Sequence, residues 1–203
     1  MKILVACEFS GRVRDAFIRE GHEALSCDLE PSESPGPHHQ GCVLNLINDG
    51  WDLMIAFPPC TYLAQSGMHW THAGKRPWSK TQEALDFVRA LMNAPIPRIA
   101  IENPIGLISS EIRRADQAIQ PYHFGHLHSK KTCLWLKNLP NLKPTKHIKL
   151  PAGVRWANQT PAGNCSIGES STRAKDKSRT YEGIAKAMAE QWGRLDGPTL
   201  TSI

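Results

Sequence analysis

Short apolar runs recur along the chain, and each is followed by turn residues or by a stretch of helical periodicity. Runs of about five residues are too short for ordinary helices and are typical of buried strands. Their ends are marked by residues that interrupt regular structure, such as the adjacent prolines Pro58 and Pro59. The pattern predicts strands at residues 3–7, 23–27, 53–57, 98–101 and 132–136.

Amphipathic stretches lie between these strands and predict helices. One of them places Leu85, Val88 and Leu91 on a single side, with the spacing of an α-helix. The same criterion predicts helices at residues 11–20, 81–92, 110–119 and 180–193. Strands that alternate with helices favour an α/β fold built on a parallel sheet.

Three stretches carry little periodicity and are predicted as loops. Residues 31–41 are rich in proline, glycine and serine. Residues 61–79 contain several aromatic residues, which favours a functional loop over a linker. Residues 138–178 combine prolines, glycines and charges ahead of the closing helix. We interpret the 203 residues as one domain, 1–203.

Composition limits the class of protein. Apolar residues make up 40% of the chain, and no apolar run reaches the roughly 18 residues of a membrane span. The amino-terminal run is too short for a signal peptide and predicts a strand instead. The six cysteines are scattered without a Cys-x-x-Cys pair, which favours a reduced, cytoplasmic setting over a disulfide or zinc scaffold.

Basic residues are concentrated in one segment. Residues 129–179 hold eleven Lys or Arg but only Glu169 and Asp176 as acids, so this segment carries +9 and the rest of the chain −4. Such asymmetry favours a polyanion partner. Trp156 and Asn158 lie among these charges, as aromatic and amide groups do in nucleic-acid sites. The alternative is a solvated, loop-rich surface.

The segment Ala56-Phe57-Pro58-Pro59-Cys60 places a cysteine just beyond a buried strand. Ligands and catalytic groups gather at the carboxyl ends of strands in an open α/β sheet. A second predicted strand is followed in the same way by Glu102-Asn103-Pro104. The two motifs predict a nucleophile, Cys60, and an acid, Glu102, that face one pocket. The alternatives are an inert buried thiol and a structural or capping acid.

The first strand leads through Glu8-Phe9-Ser10-Gly11 into a helix, and this arrangement suits a nucleotide-like ligand. Asp28 and Glu30 follow at about 20 residues, where an acid binds ribose hydroxyls in dinucleotide-binding folds. A surface acid in a loop explains Asp28 about equally well.

A histidine-rich stretch precedes the last predicted strand. Its spacing of His123, His126 and His128 before Cys133 fits no common zinc pattern, so we expect no metal site there. Lysines follow these histidines directly, and we interpret the stretch as facing a phosphate backbone.

The order of these pieces resembles that of the DNA cytosine-C5 methyltransferases, in particular the short members carried by phages and prophages. The similarity runs from residue 3 to residue 193, and the pair of Pro-Cys and Glu-Asn-Pro is its most specific part. The matching pieces are Glu8-Phe9-Ser10-Gly11, Pro58-Pro59-Cys60, Glu102-Asn103-Pro104, residues 129–135 and residues 179–189.

This resemblance implies a Rossmann-like S-adenosylmethionine-dependent methyltransferase, with a mostly parallel sheet and helices on both faces. Cys60 would add to C6 of a cytosine that has left the duplex stack, and Glu102 would assist at N3. Asn103 would position Glu102. Lys131 would be the surviving basic group of the family's Gln-x-Arg-x-Arg motif.

The resemblance also implies two sets of binding residues. The methyl donor would be held by Phe9, Ser10, Gly11, Asp28, Glu30 and Pro58. DNA would be contacted by Lys130, Lys131, Arg155, Lys175, Lys177 and Arg179.

The chain departs from the family pattern in several places. Cys42 stands where the family carries the acid of a Gly-Asp-Ile-like motif, which removes the usual adenine contact. The family's large target-recognition domain is missing, so sequence reading would be minimal or would depend on a partner or a second copy of the chain. Lys177-Ser178-Arg179 replaces a Gly-Asn-Ser motif and suggests an acidic donor, carboxy-S-adenosylmethionine, as an alternative.

The predicted function is therefore transfer of a methyl group from S-adenosylmethionine to C5 of cytosine in DNA. We expect it in the cytoplasm of a bacterial or phage-infected cell, without a membrane partner. Three alternatives stay open at this point: carboxymethyl transfer, action on a free cytosine nucleotide, and an inactive DNA-binding relative. The basic segment disfavours the free nucleotide, and the presence of Cys60 and Glu102 disfavours an inactive relative.

Overall fold

The computed structural model describes residues 1–162 and 173–195, and seven strands within these ranges form one sheet. The strands are β1 (Lys2–Ala6), β2 (Glu23–Asp28), β3 (His38–Gln40), β4 (Leu53–Ala56), β5 (Arg98–Pro104), β6 (Gln117–Ile119) and β7 (Thr132–Lys137). The helices are α1 (Arg12–Arg19), α2 (Met68–His72), α3 (Trp78–Met92), α4 (Ile108–Glu111), α5 (Arg173–Ser178) and α6 (Glu182–Trp192).

The spatial order of the sheet is β3-β2-β1-β4-β5-β7-β6. The first five strands of that order run parallel to one another, while β7 is antiparallel to both β5 and β6. The predicted Rossmann-like class, a mostly parallel α/β sheet, is confirmed. Because parallel strands end on the same side, the residues that follow β1, β2 and β4 meet at one edge of the sheet.

Helices cover both faces of the sheet, and the alternation along β1 shows how the core divides. Ile3 and Val5 pack in a cluster with residues of α1 and α6, whereas Leu4 and Ala6 pack in a second cluster with residues of α3. All four side chains are fully buried. Strands with apolar residues on both faces are expected where helices cover both sides of a parallel sheet.

Strand β5 is longer than the apolar run predicts. The run ends at residue 101, but pairing with β7 continues through Glu102, opposite Leu134, and Asn103, opposite Cys133. The backbone of a polar residue stays in the strand when a neighbouring strand satisfies its hydrogen bonds. Glu102 and Asn103 therefore lie inside a paired strand, which corrects the expectation that they follow its end.

Two element predictions were wrong because tertiary pairing overrides local pattern. The helix expected at residues 110–119 is the short α4 followed by β6, whose residues pair with the first residues of β7. The loop expected at residues 31–41 contains β3, which pairs in parallel with the last three residues of β2. Both strands have three residues and lie at the two edges of the sheet.

The boundaries of other elements differ from the predicted ones by a few residues, and helices occupy parts of two predicted loops. The first strand ends at Ala6 because Cys7 has a φ of 56°, outside the strand region. Residues 61–79 include α2 and the start of α3. Part of the predicted loop segment 138–178, residues 163–172, lies outside the described residues, and α5 begins after it. Among residues 1–162 and 173–195, no helix is long and apolar enough to cross a membrane.

Candidate active site

The turn that carries Cys60 is fixed to the neighbouring strand. Asn103, which is 1% exposed, donates a hydrogen bond from Nδ2 to the carbonyl oxygen of Pro58 at 2.7 Å. The Cys60 carbonyl oxygen accepts bonds from the backbone N–H groups of Leu63 and Ala64, which begins the next turn. The buried amide of Asn103 thus holds the cysteine turn against β5, the strand that carries Glu102.

Cys60 itself is exposed, and charged groups of several elements act on its thiol. Partial desolvation raises the pKa of this thiol, and the Glu102 carboxylate raises it further. Lys130 and Lys177 act in the opposite direction. Cys60 and Glu102 therefore lie close enough for the carboxylate to act on the thiol, and the raised pKa favours the protonated thiol over the thiolate.

The Glu102 carboxylate is oriented by a neighbour on β7. It accepts a hydrogen bond from the hydroxyl of Thr132, a residue that is 3% exposed. The two side chains line a narrow cavity together with Lys130, Arg179 and Tyr181. Thr132 was not among the predicted site residues, although it lies in the basic motif that the resemblance singles out.

The lysine that enters this cavity is Lys130. Its backbone N–H donates to the side-chain oxygen of Gln120 at 2.9 Å, and its Nζ donates to the backbone oxygen of Lys177 at 2.5 Å. Lys131, which the resemblance favours as the catalytic basic group, is exposed and does not line the cavity. Neighbouring residues of an extended chain point to opposite sides, so only one of the two lysines can face Glu102.

A larger cavity of about 330 Å³ opens where β1, β2 and β4 end. Asp28, the acid expected to bind ribose, lines this cavity, and Pro59 lines it instead of the buried Pro58. Its walls are mostly apolar, and Tyr62 and Phe87 contribute two aromatic rings. Its charged lining consists of the Asp28 carboxylate and the Lys80–Glu83 ion pair. Apolar walls with a few polar groups suit a nucleoside. The residues present therefore fit the adenosine part of a nucleoside-based donor.

Three thiols also line this cavity: those of Cys7, Cys27 and Cys42. Burial raises the pKa of Cys7 and raises that of Cys27 to about 11, so both remain protonated. Cys42, the residue that departs from the family pattern, is exposed at the cavity wall. Among the residues that the structure describes, no group of three or more His, Cys, Asp or Glu side chains is placed to hold a metal ion.

The amino terminus of α1 is occupied by a carboxylate of the chain itself. Glu8, which is 4% exposed, accepts hydrogen bonds from the Ser10 hydroxyl at 3.0 Å and from the Val13 N–H at 2.8 Å. Burial raises the pKa of Glu8, while these bonds oppose the rise. The carboxylate satisfies backbone donors that a helix leaves unpaired in its first turn. Glu8 and Ser10 therefore cap the helix.

Gly11 is required by packing within the chain. It has a φ of 73°, and a Cβ atom at this position would lie 2.1 Å from the hydroxyl oxygen of Ser34. The neighbouring loop is held by the fully buried Arg14, whose guanidinium donates to Ser32, Ser34 and the backbone oxygen of Pro37. Gly11 thus faces the 32–37 loop, and it does not line the 330 Å³ cavity.

A clasp of ion pairs, formed by Glu30, Glu33, Lys175 and Arg179, covers Phe9. Lys175 lies 2.8 Å from Glu30, and Arg179 binds both carboxylate oxygens of Glu33 at 2.7 Å. The two cations lie 5.7 Å and 5.9 Å from the centre of the Phe9 ring. Phe9 and Glu30 were predicted to contact the donor, but neither lines the 330 Å³ cavity.

An aromatic stack joins the basic segment to Tyr122, which precedes it in the chain. Tyr122 stacks on Trp156 with ring centres 4.4 Å apart, and the His147 ring also stacks on Tyr122 with ring centres 5.7 Å apart. Asn158 and Ser129 exchange two hydrogen bonds, of 2.8 Å and 2.9 Å. These contacts attach the residues around 156 to the segment that precedes β7 and carries Lys130.

The predicted DNA-binding residues fall into two groups. Lys131 and Arg155 are exposed, and no ion pair involves either of them within the described part of the chain. Lys175 and Arg179 are instead engaged in the clasp, and Lys130 binds the Lys177 carbonyl. Three further lysines, which were not among the predicted DNA-binding residues, are also exposed and without an ion pair in the described part of the chain: Lys143, Lys146 and Lys149.

No protein-family model and no curated protein matches the chain. Among solved structures, the Entamoeba histolytica methyltransferase EhMeth is similar with 16% identity and a TM-score of 0.48, covering 80% of this chain and 63% of that chain. A variant of Spodoptera frugiperda DNMT2 is similar with 17% identity and a TM-score of 0.38, covering 83% of this chain and 60% of that chain. The chain thus spans less than two thirds of either neighbour's length.

Proposed function

We propose that this protein transfers a methyl group from S-adenosylmethionine to C5 of cytosine in DNA. The observation that supports this proposal most directly is the bond from Asn103 to the Pro58 carbonyl, because it fixes the Cys60 turn beside the strand of Glu102. A thiol and a carboxyl group close enough to interact electrostatically supply what addition to a cytosine ring requires: a nucleophile for C6 and, when the carboxyl group is protonated, a proton donor at N3.

The chain's own residues would divide the reaction between them. The Cys60 thiol releases its proton to solvent and Sγ adds to C6, while Glu102 in its protonated form donates a proton to N3, which converts the ring into an enamine with a nucleophilic C5. After C5 has taken up the methyl group, C5 loses its proton to solvent, N3 returns its proton to the Glu102 carboxylate and the bond to Cys60 breaks, which restores the aromatic ring. Thr132 keeps the Glu102 carboxylate oriented, and Lys130 favours the thiolate.

The donor would occupy the 330 Å³ cavity, with Asp28 at the ribose hydroxyls and the apolar walls around adenine. When bound, S-adenosylmethionine supplies the electrophilic methyl group. The carboxylated donor has no observation in its favour, because Arg179 is already paired with Glu33 and Asp176. An anionic ligand would have to displace one of these carboxylates.

DNA is the substrate that the charge distribution favours. The exposed cations Lys143, Lys146, Lys149 and Arg155 have no carboxylate partner among the described residues, and the stacked Trp156 lies among them. A free nucleotide would need only one phosphate site. The target cytosine must leave its stack to reach Cys60, as in other enzymes that modify a base.

The proposal is tested by covalent trapping on an oligonucleotide that contains 5-fluorocytosine. A C5 fluorine blocks elimination, so the wild-type protein should form a denaturant-stable adduct in the presence of S-adenosylmethionine, whereas Cys60→Ala should form none. Cys133→Ala, which removes a thiol from β7, is the matched control and should still be trapped. Equal trapping of Cys60→Ala and wild type would refute the assignment. Mass spectrometry of nucleosides from the modified DNA identifies the group that was transferred.

A further inference from the structure

Residues 61–80, which follow Cys60 directly, form a surface of unusual composition. They contain no Asp or Glu, and they carry the two exposed tryptophans of the described chain, Trp70 at 40% and Trp78 at 54% exposure. Lys80 is paired with Glu83 at 2.7 Å, which leaves Lys75 and Arg76 as the cations of this surface. Large exposed aromatic rings are uncommon on soluble domains and often mark a binding surface.

The segment is anchored at its base, beside the candidate nucleophile. Arg76 donates to the Thr61 carbonyl at 2.6 Å, which brings the far side of the loop back to the residue next to Cys60. The Gln65 N–H donates to the Ile105 carbonyl at 2.9 Å, which attaches the loop to the residues that follow β5. The base of the surface is therefore fixed at the mouth of the candidate active site.

Each tryptophan combines an exposed ring with a nearby group that can meet a phosphate. The Lys75 ammonium lies 4.5 Å from the centre of the Trp70 ring, and His69 is tilted against that ring at 4.6 Å. His72 meets Trp78 edge to face at 5.5 Å. Aromatic rings interspersed with cations are the elements of surfaces that bind single strands by base stacking and phosphate contact.

Base stacking distinguishes single-stranded DNA from duplex DNA. Bases in a duplex are covered on both faces by their neighbours, so a protein ring can stack only on an unpaired base. An unpaired strand also reaches Cys60 without the free energy of breaking a base pair. Resting on the proposed function for the choice of DNA, we propose that Trp70 and Trp78 bind single-stranded DNA by stacking, and that single strands are the preferred substrate.

The test measures binding in the absence of methyl donor, with a fluorescent oligothymidylate of about 20 nucleotides, so that no cytosine chemistry is involved. Trp70→Ala and Trp78→Ala should each weaken its binding by about 5- to 100-fold, since stacking on one ring contributes that much per base. Trp70→Phe and Trp78→Phe should restore most of the affinity, because they keep a ring. Ile18→Ala, at a 40% exposed position on α1, is the control and should bind like wild type.

The wild-type protein should also bind the oligothymidylate more tightly than the corresponding oligo(dA)·oligo(dT) duplex. Tighter binding of the duplex would overturn the proposal, and so would unchanged binding by both alanine variants with thermal unfolding like that of wild type. The result is independent of the trapping assay. Ring-dependent oligothymidylate binding without Cys60 trapping would refute the proposed chemistry alone, and trapping without ring dependence would refute only this inference.

Discussion

Partial desolvation and the Glu102 carboxylate both raise the pKa of the Cys60 thiol, whereas Lys130 and Lys177 oppose the rise. A thiol that is neutral at rest is protected from oxidation and alkylation, since the thiolate is the reactive form. Protonation or neutralisation of Glu102 removes one of the two causes of the raised pKa. The charge of Glu102 therefore influences the pH at which the Cys60 thiol becomes charged.

This balance predicts opposite effects of two substitutions on the alkylation of Cys60 by iodoacetamide. Glu102→Gln removes a negative charge, so the rise of the rate with pH should move to lower pH. Lys130→Met removes a positive charge and should move it to higher pH. The rates are read by mass spectrometry of the peptide that contains Cys60. A shift in the same direction for both variants would show that charge at this site does not set the pKa of the thiol.

Individual residues also show how much of the candidate site the sequence predicts. Cys60 and Glu102 are predicted from the sequence because each belongs to a motif at the end of an apolar run. The choice between Lys130 and Lys131 depends on which side of an extended segment faces Glu102, and one residue of error reverses it. The capping role of Glu8 depends on the fold of the helix that follows, and composition carries no sign of it.

At the scale of elements, apolar runs identify the five interior strands, and their pairing confirms a parallel arrangement for four of them. The two edge strands, β3 and β6, escape prediction because each has three residues and depends on its neighbour for its hydrogen bonds. The extension of β5 through Glu102 is equally non-local, since β7 supplies the partner. The sequence therefore does not predict those strand residues that are stabilised only by hydrogen bonds to a neighbouring strand.

The clasp is the least expected element-scale feature, because it joins α5 to a loop about 145 residues earlier in the chain. The hydrogen bond from Arg179 lowers the pKa of Glu33. A carboxylate with a lowered pKa contributes stability that is fully present above the ordinary glutamate pKa and is lost as the pH falls through the lower value. The clasp should therefore be closed at neutral pH and should open in acid.

Removal of one carboxylate should loosen α5 at neutral pH. Glu33→Gln keeps the size of the side chain but loses its charge, so Arg179 retains only Asp176 as an ionic partner in the described structure. We expect faster amide hydrogen exchange in residues 175–178 of this variant, measured by mass spectrometry. Glu20→Gln, which breaks the surface pair with Arg194 at 3.2 Å, is the control and should leave this exchange unchanged. Equal exchange in Glu33→Gln and wild type would mean that packing alone holds α5.

At the scale of the whole molecule, the net charge of a segment differs from the number of its cations that are not paired with acids. The sequence assigns +9 to residues 129–179, but the fold pairs Lys175 and Arg179 with acids that lie outside that segment. Those acids, Glu30 and Glu33, belong to the part of the chain that carries the compensating negative charge. A charge count along the chain therefore predicts that a polyanion binds, although it overstates how many cations are free to bind it.

This distinction leads to a prediction about the salt dependence of DNA binding. Replacement of Lys143, Lys146 and Lys149 with Ala should lower the log–log salt slope for a single-stranded oligonucleotide by about 0.7 for each phosphate contact that is lost. Lys175→Ala should change the slope much less, because Glu30 already neutralises that lysine. Both variants and the wild type are compared by fluorescence anisotropy over a series of salt concentrations. Suppose that Lys175→Ala lowered the salt slope by as much as each lysine of the triple variant does on average. DNA would then have to open the clasp when it binds. The cations around Phe9 would then belong to the DNA-binding surface after all, and the charge count along the chain would have been the better guide.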